Sequence, residues 1–178
     1  MTGPSEPVGT GGRAVGPLGG RPHAAASDCE RIHPGRIGQP ANTVSSLAFV
    51  AAALPIARSA RRRGMPAWRA VAVAAVLEGL GSVAYHGPGG PASKRLHDAG
   101  LVVLTATIAV AVASERQPVE LRPRTAALAA VAAAVHTLSR TGGPLCSCDS
   151  PLQGHALFHL LAAAALTAAA DEIGRAHV

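Results

Sequence analysis

Five stretches of the chain stay apolar for close to the roughly 20 residues that a helix needs to cross a bilayer. They run at 41–58, 67–86, 97–114, 124–139 and 152–170, and the fourth is short and rich in alanine. The pattern predicts an all-α fold, a polytopic transmembrane helix bundle of about five spanning helices, occupying residues 28–172. Residues 1–27 are rich in Gly, Pro and Ala and carry no sustained apolar run, so they read as a disordered tail. They also lack the apolar centre of about 7 to 15 residues found in a signal peptide, which leaves insertion to the first spanning helix. Residues 173–178 read as a short carboxyl-terminal tail.

Composition narrows the class. The chain has 178 residues, 48% of them apolar and 15% charged, a skewed mixture for a water-soluble globule. Because the apolar content is mostly Ala, Val and Leu, a soluble alanine-rich bundle is the competing fold. The formal charge of +6 does not point to nucleic acid. Lysine is nearly absent, the arginines cluster between apolar segments, and no stripe of base-stacking aromatics accompanies them.

Those arginines instead orient the chain. The linker from Arg58 to Arg69, which joins the first two apolar segments, contains Arg58, Arg61, Arg62, Arg63 and Arg69, and the positive-inside rule puts it in the cytoplasm. The amino-terminal tail, the loop with Lys94 and Arg95, and the loop at 140–151 then lie outside. The loop from Arg116 to Arg124 and the carboxyl terminus lie inside. The expected location is a cell membrane, multi-pass.

On this topology the polar residues gather at one end. Asn42 and Ser45 of the first helix, Ser82 and His86 of the second, Asp98 opening the third, and His155 and His159 opening the fifth all fall near the outer face. Ionisable groups inside a membrane are costly and mark function by default. His155 and His159 are four apart, so both imidazoles leave one helix face at a spacing that reaches a single ion. Ser82 and His86 repeat that spacing, with Glu78 one turn further back. One His-x-x-x-His pair is usually structural, but three histidines with Asp98 near one face favour a metal site. Zinc in a catalytic site takes three protein ligands and keeps a fourth position for water; three imidazoles also accommodate iron, copper or nickel. Asp98 is then a candidate base or ligand-orienting group, and Ser82 a donor to a developing oxyanion. His136 reads as a core or interfacial histidine, and His97 as a lesser candidate. His23, His33 and His177 read as solvated tail residues.

Cys29 precedes the first helix, and Cys146 and Cys148 precede the fifth, all on the outer side where oxidation is permitted. A Cys29–Cys146 bridge, three free thiols, and a Cys146–Cys148 pair are the alternatives.

Three blocks resemble the alkaline ceramidase family. The first is Cys29-Glu30 followed by Gln39 to Phe49. The second is Gly79 to His86, which holds the Ser-x-x-x-His, followed by Leu96-His97-Asp98. The third is Asp149 to His159, ending in His-x-x-x-His. They stand in the family's order and span residues 29 to about 160. The resemblance implies a place in a wider superfamily of seven-helix membrane hydrolases. It implies His86, His155 and His159 as zinc ligands, Ser82 as oxyanion stabiliser and Asp98 as supporting or water-activating carboxylate. It also implies a lipid amide as substrate in the bilayer, and it favours the Cys29–Cys146 bridge.

The departures carry expectations too. Five helices in place of seven imply a lipid cavity that is smaller or is completed by a homo-oligomer. The family's calcium site surrounds the Cys-Glu segment, but here Asp28 and Glu30 are the acidic residues left and Gln39 stands where another is expected, which argues against calcium. Glu30, Gln39 and Asn42 are then candidates for a supporting shell or a cation site. Glu78 has no counterpart in the pattern. A non-enzymatic membrane sensor or partner subunit with a structural metal is the alternative function.

Overall fold

The structure, a computed structural model, describes residues 23–115 and 119–175. Its regular elements are five helices: α1 Pro40–Arg62, α2 Pro66–His86, α3 Pro91–Ala113, α4 Pro123–Leu138 and α5 Gly154–Arg175. Proline opens each of α1 to α4, where its fixed φ suits the helix and its missing N–H would have lacked a partner anyway. Four helices, all but α4, are long and apolar enough to cross a membrane. With 16 residues, α4 rises about 24 Å against a hydrocarbon core of about 30 Å. The expected five spans are therefore four plus one short helix. It lies antiparallel to α5: Thr125 near its start donates to Glu172 at the end of α5, while Ser139 at its end packs on Gly154 at the start of α5.

α1 packs on α2 and α5, α2 also on α3, and α5 also on α4. The spatial order is thus α3–α2–α1–α5–α4. Small residues let the backbones approach, as expected where lipid supplies no hydrophobic drive between helices. A Cβ on Gly79 would stand 2.7 Å from a Val50 methyl carbon of α1, and one on Gly81 would stand 3.0 Å from the His97 Cα of α3. The apolar core, with Ile56, Ala60, Met65, Trp68, Val71 and Ile173, fills one half of the bundle. The buried polar residues Asn42, Ser46, Ser82, His86, His155 and His159 fill the other. Large apolar side chains face outward, Val44, Val73, Val102 and Val110 each more than 60% exposed. Water would penalise such a surface and lipid would not. The fold is that of a multi-pass membrane protein.

Several boundaries differ from the sequence expectation. α3 begins at Pro91 rather than 97, so Lys94, Arg95 and Asp98 are helical and Asp98 does not open the helix. α1 continues through Arg58 and Arg61 to Arg62. Ile173 and Gly174, expected in a tail, are buried residues of α5. His23, expected to be solvated, is 2% exposed, and its Nε2 bonds the Gly87 carbonyl at 3.1 Å. Residues 1–22 and 176–178, with the tail readings made for them and for His177, lie outside the described residues.

Candidate metal centre

The polar end of the bundle is built by the segment from His23 to Gln39, which crosses it and is fastened on two sides. Toward the α2–α3 turn, Ala24 donates to the Gly89 carbonyl, Gly38 to that of Gly87, and Gln39 to that of His86. Toward the α4–α5 loop, Cys29 donates to Thr141 Oγ1 and Arg31 to the Cys148 carbonyl. Arg31 also forks onto the Asp149 carboxylate. That hydrogen bond, with the guanidinium charge behind it, holds the Asp149 carboxyl below the usual carboxylate range. Cys29 and Cys146 form a disulfide with their Cα atoms 5.5 Å apart. Cys29 itself is held at φ 51°, in the left-handed region that side-chain-bearing residues seldom use.

Under this cover the three predicted histidines converge. Candidate ligand atoms of His86, His155 and His159 all lie within 4.8 Å of one another. Their rings are fully enclosed, at 0%, 5% and 3% exposure. α5 presents two of them one turn apart, with centroids 4.6 Å apart. α2 delivers the third, 5.0 and 5.3 Å from those two.

The hydrogen-bond network assigns the tautomers. Gln39 Nε2 donates to the Ala25 and Glu30 carbonyls, so Gln39 Oε1, 2.7 Å from His86 Nδ1, accepts a hydrogen bond from it. Ser45 Oγ donates to the Asn42 carbonyl and so accepts from His159 Nδ1 at 2.8 Å. In both rings Nε2 is left as a bare acceptor, the form a metal ligand takes. His86 Nε2 and His155 Nδ1 are buried with no hydrogen-bond partner, which is costly unless something else meets them. Three clustered imidazoles, two of them with a buried unpartnered nitrogen, fit a bound metal ion. The other cluster of ligand-type side chains, Cys29, Cys146 and Cys148, has two of its sulfurs committed to the disulfide.

Other predicted residues have more specific places. Gln39 supports His86 directly. Glu30 accepts from the Ala41 and Asn42 amides at 2.7 and 2.8 Å, which uses its carboxylate to cap the positive end of α1. Asn42 donates to the Asp28 carbonyl and to Gln39 Oε1. Ser82 is fully buried one turn before His86, but its hydroxyl pairs with Ser46 Oγ at 2.9 Å. Ser46 already donates to Asn42, so Ser82 is the donor in that pair. Asp98 is half exposed and bonds Lys94 at 2.6 Å and His97 at 3.3 Å. It lines the same cavity as His155 and His159, but its hydrogen-bond partners lie outside the triad.

That cavity, about 650 Å³, lies beside the triad and draws wall from all five helices. Phe49, Leu101, Leu104, Ile108, Phe158 and Leu166 make its apolar surface; Asp28, Glu78, Lys94, His97, Asp98 and Arg140 make the polar one. The sequence raised Asp28 only as a remnant of a calcium site and His97 only as a lesser candidate. The Asp28 carboxylate is 4.0 Å from His155 Nδ1, beyond hydrogen-bond reach, and 3.6 Å from Arg140. His97 stacks on Tyr85 with centroids 4.5 Å apart and turns Nε2 toward Glu78. His136 lies 5.4 Å from the His155 ring on the cavity wall.

Replacing Gln39 by Leu is expected to weaken metal binding about 10- to 100-fold, the usual cost of losing a ligand's supporting hydrogen bond, while Glu30→Gln affects stability and leaves metal affinity near wild type. Titration of the purified variants with zinc against a competing chelator checks both.

Comparison with known protein families, with curated proteins and with solved structures finds no significant match to this chain.

Proposed function

We propose that the protein is a membrane-embedded, zinc-dependent hydrolase that cleaves the amide bond of an N-acyl lipid of ceramide-like build. The observation that carries this reading is the buried histidine triad, two of its Nδ1 atoms committed to Gln39 and Ser45, set beside a largely apolar cavity of about 650 Å³. The ion, when bound, supplies Lewis acidity and a water of lowered pKa.

The chain does the rest. His86, His155 and His159 would hold the ion, while Gln39 and Ser45 keep two of the imidazoles aimed. Phe49, Leu104, Ile108 and Leu166 receive the hydrocarbon and exclude water from the amide, which strengthens every polar interaction there. Asp98 and His97, joined at the cavity wall, carry the proton between the site and the exposed Lys94. Ser82 exchanges Ser46 for the acyl oxygen and donates to it. The arginines that end α1 and open α2 favour a triad on the extracytoplasmic side and a cytoplasmic carboxyl terminus.

The test is hydrolysis of N-palmitoylsphingosine by purified protein in lipid nanodiscs, with about one zinc per chain by elemental analysis. A chelator is expected to remove turnover and added zinc to restore it. Full turnover in metal-free protein would sink the mechanism.

A second reading, a membrane sensor or partner subunit with a structural metal, is favoured by one observation: the Ser82 hydroxyl is given to Ser46 rather than to the cavity. Ser82→Ala separates the two. The hydrolase loses turnover with its zinc intact; the sensor loses nothing.

A further inference from the structure

We propose that the groove between α1 and α5 binds an anionic phospholipid, with its phosphate on Arg58 and Arg62 and one acyl chain along the alanines that line the groove.

Where α1 meets α5, both helices present alanine. Ala48, Ala51 and Ala52 of α1 and Ala163, Ala164 and Ala168 of α5 line an open groove of about 830 Å³. It shares no lining residue with the cavity beside the triad, so it is a separate site. The hydroxyls in its wall are already engaged: Thr167 donates to the Ala163 carbonyl, and Ser59 accepts from Arg63. The groove therefore offers hydrocarbon contact to whatever fills it.

One end of it is charged. Arg58 and Arg62 close the groove, and with Arg61 they line an adjoining hollow of about 320 Å³. All three are exposed, and no ion pair among the described residues uses any of them. The acidic residue in the wall, Asp171, is already answered: Arg63 Nη1 is 3.3 Å from one oxygen and Arg175 bonds the other. Unmatched guanidinium groups at the mouth of an apolar groove fit a phosphate that carries a hydrocarbon chain.

Length agrees with charge. The ten-residue step from Arg58 to Ala48 rises about 15 Å along a helix, half of a hydrocarbon core about 30 Å thick. A phosphate at Arg58 thus lays its chain along the alanines as far as the bilayer midplane. Small-residue faces also pair helices with one another, but two copies inserted in the same orientation would set Arg58 and Arg62 against their own counterparts, and like charges repel. A free anion would leave the groove empty, and a zwitterionic lipid would bring the arginines no net counter-charge.

Native mass spectrometry of the purified chain in detergent micelles, titrated with dioleoylphosphatidylglycerol or dioleoylphosphatidylcholine, reads bound lipid and oligomeric state together. One phosphatidylglycerol per chain is expected, retained about thirtyfold better than phosphatidylcholine, the worth of two arginines against an anionic headgroup. Arg58→Gln combined with Arg62→Gln is expected to remove that preference and leave phosphatidylcholine unchanged. Arg69→Gln, at an exposed position of α2 outside the groove, is expected to keep it. Ala51→Leu combined with Ala164→Leu, both at exposed positions, fills the groove without touching the charges. This pair is expected to weaken phosphatidylglycerol about tenfold, the usual cost of overfilling a packed site. Chainless glycerophosphoglycerol is expected not to displace the lipid. Equal retention of the two lipids, a preference that survives the double arginine substitution, or an equal loss in Arg69→Gln overturns the proposal. So does displacement by glycerophosphoglycerol, or a groove-filling variant that turns a dimer into a monomer while lipid retention stays the same.

Discussion

Alanine at His159 is expected to release the metal and to reduce amide hydrolysis to background. The fall should exceed the roughly 10- to 100-fold cost of losing a supporting hydrogen bond. His159 is one of three ring nitrogen donors within 4.8 Å of one another, and its Nδ1 is already committed to Ser45, so no rotation of the ring is wasted in binding. Two imidazoles cannot complete the three-ligand set of a catalytic zinc site. His136→Ala is the matched control. That ring is 5.4 Å from His155 and 4.6 Å from Phe158 but stands outside the ligand cluster, so its removal should leave one zinc per chain. Elemental analysis of both variants, alongside elution profile and disulfide content, decides the matter. His159→Ala protein that keeps stoichiometric zinc would remove the triad from the mechanism.

The reason this ligand pair could be read from the sequence is that a regular helix converts spacing into geometry. A spacing of four from His155 to His159 fixes both rings on one face of α5 before anything is known of the fold. His86 was legible to a lesser degree, because its meeting with α5 depends on both helices packing against α1; charge bias supplied only the shared end. The start of α3 was missed because Lys94 and Arg95 look like loop residues, although Pro91 was already a first-turn signal. Gln39, Asp28 and His23 lie in irregular chain, where a side chain's partner is set by tertiary packing and not by period. So Gln39 and Glu30 were grouped together, yet one supports His86 and the other caps α1. Glu78 stood out only as a charge in an apolar run. Its buried, unpartnered Oε2 and the space that Gly100 leaves for it are properties of the α2–α3 contact.

Serine at Cys29 is expected to lower the thermal midpoint by roughly 5–15 °C, the shift that the usual 2–4 kcal/mol of a disulfide gives in a domain of this size. The bridge joins positions 117 apart in sequence, and a loop that long loses much freedom when closed. It also holds Cys29 in its left-handed conformation, and with it the neighbouring Asp28 beside His155. Metal affinity should therefore fall with stability in this variant. Cys146→Ser should be milder. Cys148 Sγ lies 3.7 Å from both the Cys29 and the Cys146 sulfur, and it is the free thiol among the described residues. Once Cys146 is gone, Cys148 is placed to pair with Cys29 and restore the tie between the amino-terminal segment and the α4–α5 loop. Without Cys29, pairing of Cys146 with Cys148 closes only a local loop and leaves that segment unfastened. Thermal unfolding followed by size-exclusion chromatography, with peptide mapping of the bridges under non-reducing conditions, distinguishes the two variants. Equal losses in both, or no Cys29–Cys148 bridge in the Cys146→Ser protein, would show that the third cysteine does not substitute.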